Sequence, residues 1–79
     1  MNEVEEFLEN DYGFSRTDCG FLNKIIEGVE YTLLYDPLNG YQLQYSYITK
    51  RTAASNTIPL GRNPTVDNLY NAFEKILLT

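Results

Sequence analysis

The sequence contains no histidine and no tryptophan, and Cys19 is its single cysteine. Without histidine, the chain lacks the commonest general base of enzymes and the Ser/His and Cys/His nucleophile pairs. A lone thiol cannot close a disulfide within the chain, and one thiol with scattered carboxylates is not a structural zinc set. We therefore expect a protein that is not an enzyme and that uses no metal or cofactor.

Long apolar runs are also missing. No stretch approaches the roughly 18 apolar residues of a transmembrane helix, and the first residues, Met1 to Glu6, are acidic where a signal peptide is basic. The hydrophobic fraction of 43% is nevertheless too high for a disordered chain, despite a net charge of −5. A chain of 79 residues has room for one core. The sequence thus predicts a single cytoplasmic domain over residues 1–79, with no membrane contact.

Both ends of the sequence carry the apolar spacing of amphipathic helices. The first helix is predicted over about residues 3–11, between a capping pattern that starts at Asn2 and a helix-ending Gly13. The second is predicted over about residues 66–78, capped by Thr65. Its apolar positions are Val66, Leu69, Tyr70, Phe73, Ile76 and Leu77.

The centre of the sequence predicts a β-hairpin with a defined register. Two segments rich in tyrosine and aliphatic residues, 29–35 and 41–48, flank residues 36–40, where aspartate, proline and glycine occupy favoured turn positions. Symmetric closure makes four apolar pairs: Tyr35 with Tyr41, Leu33 with Leu43, Tyr31 with Tyr45, and Val29 with Tyr47. A slip by one residue would turn glutamines into the core, so the pattern itself specifies the register.

Two further strands are less clearly marked. Residues 15–28 are hard to interpret, although 21–26 are apolar enough for a short strand, and 57–60 suit an edge strand because Pro59 has no N–H to donate. The expected fold is α+β, an antiparallel three- or four-stranded sheet with the N- and C-terminal helices packed on one face. This α-β-β-β-α order resembles double-stranded RNA-binding domains in topology only. Those modules place basic residues at the start of their second helix, where this chain reads Thr65-Val66-Asp67-Asn68.

The tyrosines and the cysteine each allow two interpretations. The tyrosine stripe of the hairpin is favoured as core with its hydroxyls at the rim, and the alternative is a partly exposed surface that anchors a partner. Cys19, beside Asp18, is favoured as a small buried or half-buried hydrophobic residue over a reactive thiol.

The negative charge is concentrated at one end of the sequence. Six acidic residues and Arg16 give −5 over residues 1–18, whereas five acidic and five basic residues cancel over 19–79. Carboxylates suit a helix N-terminus, but Glu9 and Asp11 lie toward the negative C-terminal end of the first helix. A surface of this kind can steer a basic partner toward it.

We therefore expect a small, acidic, non-enzymatic protein-binding module, an inhibitor- or immunity-like accessory protein of bacterial or phage type. Its candidate binding residues are Glu5, Glu6, Glu9, Asp11, Tyr41 and Tyr45. Two alternatives stay open. One is a homo-oligomeric structural protein, and the other is a nucleic-acid binder through Lys50, Arg51 and Arg62, which the acidity of the chain disfavours.

Overall fold

Five antiparallel strands lie side by side in chain order, with one helix before them and one after them. The computed structural model describes residues 3–48 and 55–77. Its elements are α1 (Glu3–Asn10), β1 (Ser15–Arg16), β2 (Leu22–Ile26), β3 (Val29–Asp36), β4 (Gly40–Tyr47), β5 (Ser55–Gly61) and α2 (Val66–Leu77). The α+β class with terminal helices and an antiparallel sheet is confirmed.

The predicted number of strands is too low. The sheet has five strands, because β1 adds a strand of two residues in which Ser15 pairs with Asn23 and Arg16 with Leu22. Two residues are too few to show the alternation by which a strand is recognised in a sequence. The similarity in element order to double-stranded RNA-binding domains therefore fails at the strand count as well.

The predicted hairpin register is correct. All four apolar pairs are present between β3 and β4, from Tyr35 opposite Tyr41 to Val29 opposite Tyr47. The last strand, β5, lies at the edge of the sheet as its proline indicated, and it is longer than predicted. Alternation of buried and exposed side chains was thus sufficient to specify how the two longest strands pair.

The turn between β3 and β4 is held by the carboxylate of Asp36. Its two oxygens accept hydrogen bonds from the Leu38 backbone N–H at 2.9 Å and from the Asn39 side-chain amide at 3.0 Å. These bonds hold the pKa of Asp36 below its ordinary value. Gly40 follows with a φ of 84°, and a Cβ there would lie 2.5 Å from the carbonyl oxygen of Gly61.

The core lies between the two helices and one face of the sheet. Its buried residues are Val4, Leu8, Phe14, Leu22, Val29, Tyr31, Leu33, Leu43, Leu69, Ala72 and Ile76. On α2, Tyr70 was predicted to belong to the apolar face but is 49% exposed, whereas Ala72 was not predicted and is only 2% exposed. The buried face of the helix therefore includes Ala72 in place of Tyr70. The tyrosine stripe divides: Tyr31 is buried, whereas Tyr35 is 55% exposed.

Edge-to-face aromatic contacts join α1, α2 and the sheet. Phe7 on α1 meets Tyr70 on α2 with ring centroids 5.6 Å apart, and it meets Tyr12 at 5.2 Å. Tyr12 contacts Phe73 at 5.3 Å, and Phe73 contacts Tyr31 of β3 at 5.3 Å. This aromatic series, Tyr70–Phe7–Tyr12–Phe73–Tyr31, fixes the rotation of each helix about its own axis.

The C-terminal end of α1 and the N-terminal end of α2 are capped where the sequence predicted, and a residue of the sheet adds to the cap of α1. Gly13 follows α1 with a φ of 73° and ends the helix as predicted. The Lys24 ammonium of β2 donates a hydrogen bond to the backbone carbonyl of Tyr12, the residue before Gly13. A cation at this position suits the negative end of the helix. At α2, Thr65 and Asn68 exchange hydrogen bonds between backbone N–H groups and side-chain oxygens, which confirms the predicted cap. The cap predicted at Asn2 lies outside the described residues.

The interpretation of Cys19 as a buried or half-buried residue is wrong. Cys19 is exposed at the tip of the turn between β1 and β2. The turn is closed by backbone bonds from Thr17 N–H to the Phe21 carbonyl at 2.7 Å and from Gly20 N–H to the Thr17 carbonyl at 2.9 Å. These bonds exist because β1 pairs with β2, and that pairing projects the intervening residues away from the core.

We expect Gly40→Ala to be far more destabilising than Gly20→Ala. Both glycines have positive φ, 84° and 87°, so each alanine costs about 1–2 kcal/mol in the left-handed conformation. Only Gly40 adds a clash with backbone atoms, whereas a Cβ at Gly20 meets nothing within 4 Å. The clash should cost about 1–3 kcal/mol more. Urea denaturation measures both free energies of unfolding, and equal losses would contradict the close approach of Gly40 to Gly61.

Candidate protein-binding surface

The carboxylates of α1 fall into two groups on different sides of the helix. Glu5 and Glu9 are one helical turn apart and point toward the sheet, where both are only partly exposed. Glu3 and Glu6 are exposed on another side, and Asp11 follows them just past the end of the helix. The candidate residues therefore do not form one continuous acidic surface.

Glu5 and Glu9 converge on Arg16, and the three residues are termed the Arg16 cluster. The guanidinium Nη2 lies 2.7 Å from Glu9 Oε1 and 4.0 Å from Glu5 Oε2, and Nη1 donates to the Gly20 carbonyl at 2.9 Å. Glu9 Oε1 is shielded from solvent and meets the guanidinium as an ion pair without hydrogen-bond geometry. Pairing of Arg16 with Leu22 places its side chain on the core-facing side of the sheet, beneath α1.

Tyr41 lies beside the Arg16 cluster. Burial raises the pKa of Tyr41, and the negative charge of Glu5 raises that pKa further while Arg16 opposes it. Its ring is tilted against that of Tyr35, with centroids 4.9 Å apart. The structure thus brings three predicted site residues, Glu5, Glu9 and Tyr41, together around an arginine that was not predicted to belong to the site.

The outward carboxylates line a shallow groove of about 270 Å³, here termed the acidic groove. Its lining residues are Glu3, Glu6, Phe7, Asn10, Asp11 and Val66. Phe7 and Val66 give it an apolar floor, and both are half-buried. Glu3 Oε1 accepts a hydrogen bond from the Val66 backbone N–H at 3.2 Å, which satisfies an otherwise free amide at the start of α2 and joins the two helices.

Glu6 and Asp11 are two exposed carboxylates of the acidic groove. Within residues 3–48 and 55–77, neither carboxylate has an ion-pair partner. Phe7 and Val66 could be assigned only to apolar helix faces from the sequence. Their joint role in the groove depends on the contact between α1 and α2, for which the sequence has no local signal.

The last predicted site residue, Tyr45, lies away from both groups of carboxylates. It is paired with Tyr31 on β3 and Asn56 on β5, and its ring contacts Tyr47 edge-on at 6.0 Å. It is half-buried against the core. The structure therefore does not unite Tyr45 with the acidic residues.

The proposed nucleic-acid site is only partly described. Arg62 donates to the Leu38 carbonyl at 3.0 Å, which ties the end of β5 to the β3–β4 turn. Lys50 and Arg51 lie outside the described residues, so their position relative to Arg62 stays a prediction.

Comparison with known proteins assigns no family. The sequence matches no protein-family model, no curated protein and no solved structure. In the described parts of the chain, no three His, Cys, Asp or Glu side chains are grouped so that they could hold a metal ion. Neither described helix is long and apolar enough to span a membrane. A function can therefore be inferred only from the geometry and charge of this chain.

We expect Arg16 and Glu9 to be energetically coupled. A double-mutant cycle with Arg16→Gln and Glu9→Gln should give a coupling of about 0.5–1 kcal/mol, modest because both side chains are partly exposed. The coupling should fall in about 0.5 M salt, which screens exposed charges. A cycle with Glu6→Gln in place of Glu9→Gln is the control and should give none. Equal coupling of Arg16 to Glu6 and to Glu9 would contradict the division of the α1 carboxylates.

Proposed function

We propose that this chain is a non-enzymatic protein-binding module that recognises a basic segment of a partner protein in the acidic groove. The observation that carries the proposal is the combination of an apolar floor, Phe7 and Val66, with two exposed carboxylates, Glu6 and Asp11, that have no ion-pair partner among the described residues. The role we favour is that of a small inhibitor- or immunity-like accessory protein, which covers a basic surface on the protein that it binds.

The groove matches the chemistry of a lysine or arginine side chain. Such side chains carry an apolar stem that packs on hydrophobic surface and a charged head that stays at the rim. In the acidic groove, the stem would lie on Phe7 and Val66, and the head would reach Glu6 or Asp11. A surface that offered only carboxylates would attract cations without orienting them. The apolar floor therefore favours a protein side chain over a simple counterion.

The charge balance supports a protein partner over nucleic acid. The chain has a net charge of −5, which repels a phosphate backbone at every distance where the charges are unscreened. The same charge accelerates encounter with a basic protein surface. Glu5 and Glu9 contribute less to this attraction, because Arg16 lies against both of them. The binding surface is thus smaller than the whole of α1.

A peptide titration with matched charge variants tests this proposal. The probe is a hexa-arginine peptide, and the readout is the change in backbone amide NMR shifts of the protein. We expect the largest changes at Phe7, Asn10, Asp11 and Val66. The double variant Glu6→Gln/Asp11→Asn should weaken binding about 5- to 10-fold, since each lost charge contact contributes up to about 1 kcal/mol.

The matched control is the double variant Asp18→Asn/Glu74→Gln, which removes the same charge from two exposed carboxylates outside the groove. It should weaken binding less than about twofold, because only long-range attraction is lost. Equal loss of affinity in both double variants would mean that net charge alone attracts the peptide. Shift changes centred on Tyr35 and Tyr41 would instead place the binding surface beside the Arg16 cluster.

A further inference from the structure

The face of the sheet opposite the helices is uncovered in the described parts of the chain. Side chains alternate along each strand, so this open face carries the residues that the core does not use. Its members within the strands are Ser15, Asn23, Ile25, Glu30, Thr32, Leu34, Asp36, Gln42, Gln44, Ser46, Ser55, Thr57 and Pro59, and Phe21 and Ile48 flank β2 and β4 beside them. Three of them are large exposed hydrophobic residues: Phe21 at 37%, Ile25 at 56% and Ile48 at 52% exposure.

The open face is nearly uncharged, although the protein as a whole is acidic. Within the described strands, its charged residues are Glu30 and, at the end of β3, Asp36. The Asp36 carboxylate accepts hydrogen bonds from Leu38 and Asn39 within the β3–β4 turn. Glu30 Oε2 accepts a hydrogen bond from the Asn23 side chain at 3.3 Å. A charged partner therefore finds little on this face to attract it.

The central row of the open face is chemically self-complementary. It runs across four strands as Asn23, Thr32, Gln44 and Thr57, each opposite the next. Amides and hydroxyls both donate and accept hydrogen bonds, so groups of this kind can bond to their own kind, which a carboxylate or an ammonium cannot do. Within one copy, Asn23 Nδ2 already donates to Thr32 Oγ1 at 2.9 Å and Gln44 Nε2 to Ser55 Oγ at 3.0 Å, so the second copy would bond to the remaining N–H of Gln44, the Thr hydroxyls and the amide oxygens. A two-fold axis along this row would bring each of these residues next to itself.

The same axis also matches apolar with apolar residues. Ile25 lies two residues after Asn23 on β2, and Phe21 lies two residues before Asn23, immediately ahead of the start of β2 at Leu22. Rotation about the central row reverses the strand direction, so Phe21 of one copy would lie over Ile25 of the other. A face with this arrangement fits a second copy of itself better than an unrelated surface.

Electrostatics permits this pairing in spite of the net charge. When two open faces meet, the acidic helices lie on the outer sides, separated by two sheets and thus by about 30 Å between helix layers. That distance exceeds the Debye length of about 8 Å at physiological salt, so the repulsion between the helices is screened. Contact through the helical side would instead bring the α1 carboxylates of both copies together.

We propose that the open face is the interface of a weak symmetric homodimer, in which two copies pack sheet against sheet about the Asn23–Thr32–Gln44–Thr57 row. Five strands about 4.8 Å apart and up to eight residues long give a footprint of roughly 500 Å² per copy. This lies at the low end of specific interfaces, so we expect a Kd of about 10–100 µM. Both acidic grooves stay exposed in such a dimer.

Sedimentation equilibrium between about 1 µM and 1 mM tests this dimer across the expected range of affinity. Gln44→Arg places two like charges at the axis and should weaken the dimer at least tenfold. Glu30→Gln removes one partly desolvated carboxylate from each copy, keeps an acceptor for Asn23, and should tighten the dimer several-fold. Asn71→Arg, on the exposed side of α2, is the control with the same charge change and should leave the dimer unchanged.

Two results would overturn the homodimer. A monomer at every concentration up to 1 mM would show that a second copy does not occupy the open face. A dimer that Asn71→Arg weakens as much as Gln44→Arg would place the interface elsewhere. Thermal melting of each variant shows whether it is folded, and the opposite effect expected of Glu30→Gln does not depend on loss of folding. Added salt should preserve the dimer but weaken peptide binding in the acidic groove, so the two proposals fail separately.

Discussion

The edge-to-face contacts of the aromatic series hold α1 at one rotation about its axis, and the distribution of charge depends on that rotation. Phe7 is wedged between Tyr70 and Tyr12, so its neighbour Glu6 must point outward. Successive residues of a helix are about 100° apart, and a rotation by one residue would exchange inward and outward carboxylates. Arg16 and the start of α2 would then each lose the carboxylate that contacts them.

The two faces of the sheet consequently have different chemistry. One face is covered by the helices, and nearly all of the described acidic side chains lie on that side or in turns. The other face is rich in amides and hydroxyls, with a few exposed aliphatic and aromatic side chains. A small protein with one helical layer can therefore attract a basic partner on one side and still approach a neutral surface on the other, because the charges are separated by the thickness of the sheet.

The strong periodic patterns of the sequence predicted the fold well, and short or tertiary features escaped prediction. The β3–β4 register followed from alternation and from the turn residues, because a slip by one residue would bury glutamine. Strand β1 was not predicted, because two residues are too few to show a period. Without that strand, the contacts of Arg16 could not be predicted, and Cys19 was wrongly expected to be buried or half-buried. The acidity of α1 was evident from the sequence. The sequence did not show which of these carboxylates have partners. Glu9 contacts Arg16 of another element, and Glu3 contacts the start of α2, 63 residues further along the chain.

The most direct test of the aromatic constraint is a double-mutant cycle between Tyr12 and Phe73, whose rings meet edge-on at 5.3 Å. Tyr12→Leu and Phe73→Leu keep apolar bulk at both positions. The hydrogen bond from Lys24 is retained, because it is accepted by the backbone carbonyl of residue 12. The free energies of unfolding of the two single variants, the double variant and the parent protein should give a coupling of about 0.5–1.5 kcal/mol. Additive losses, within about 0.3 kcal/mol, would show that the aromatic series does not hold α1 against α2.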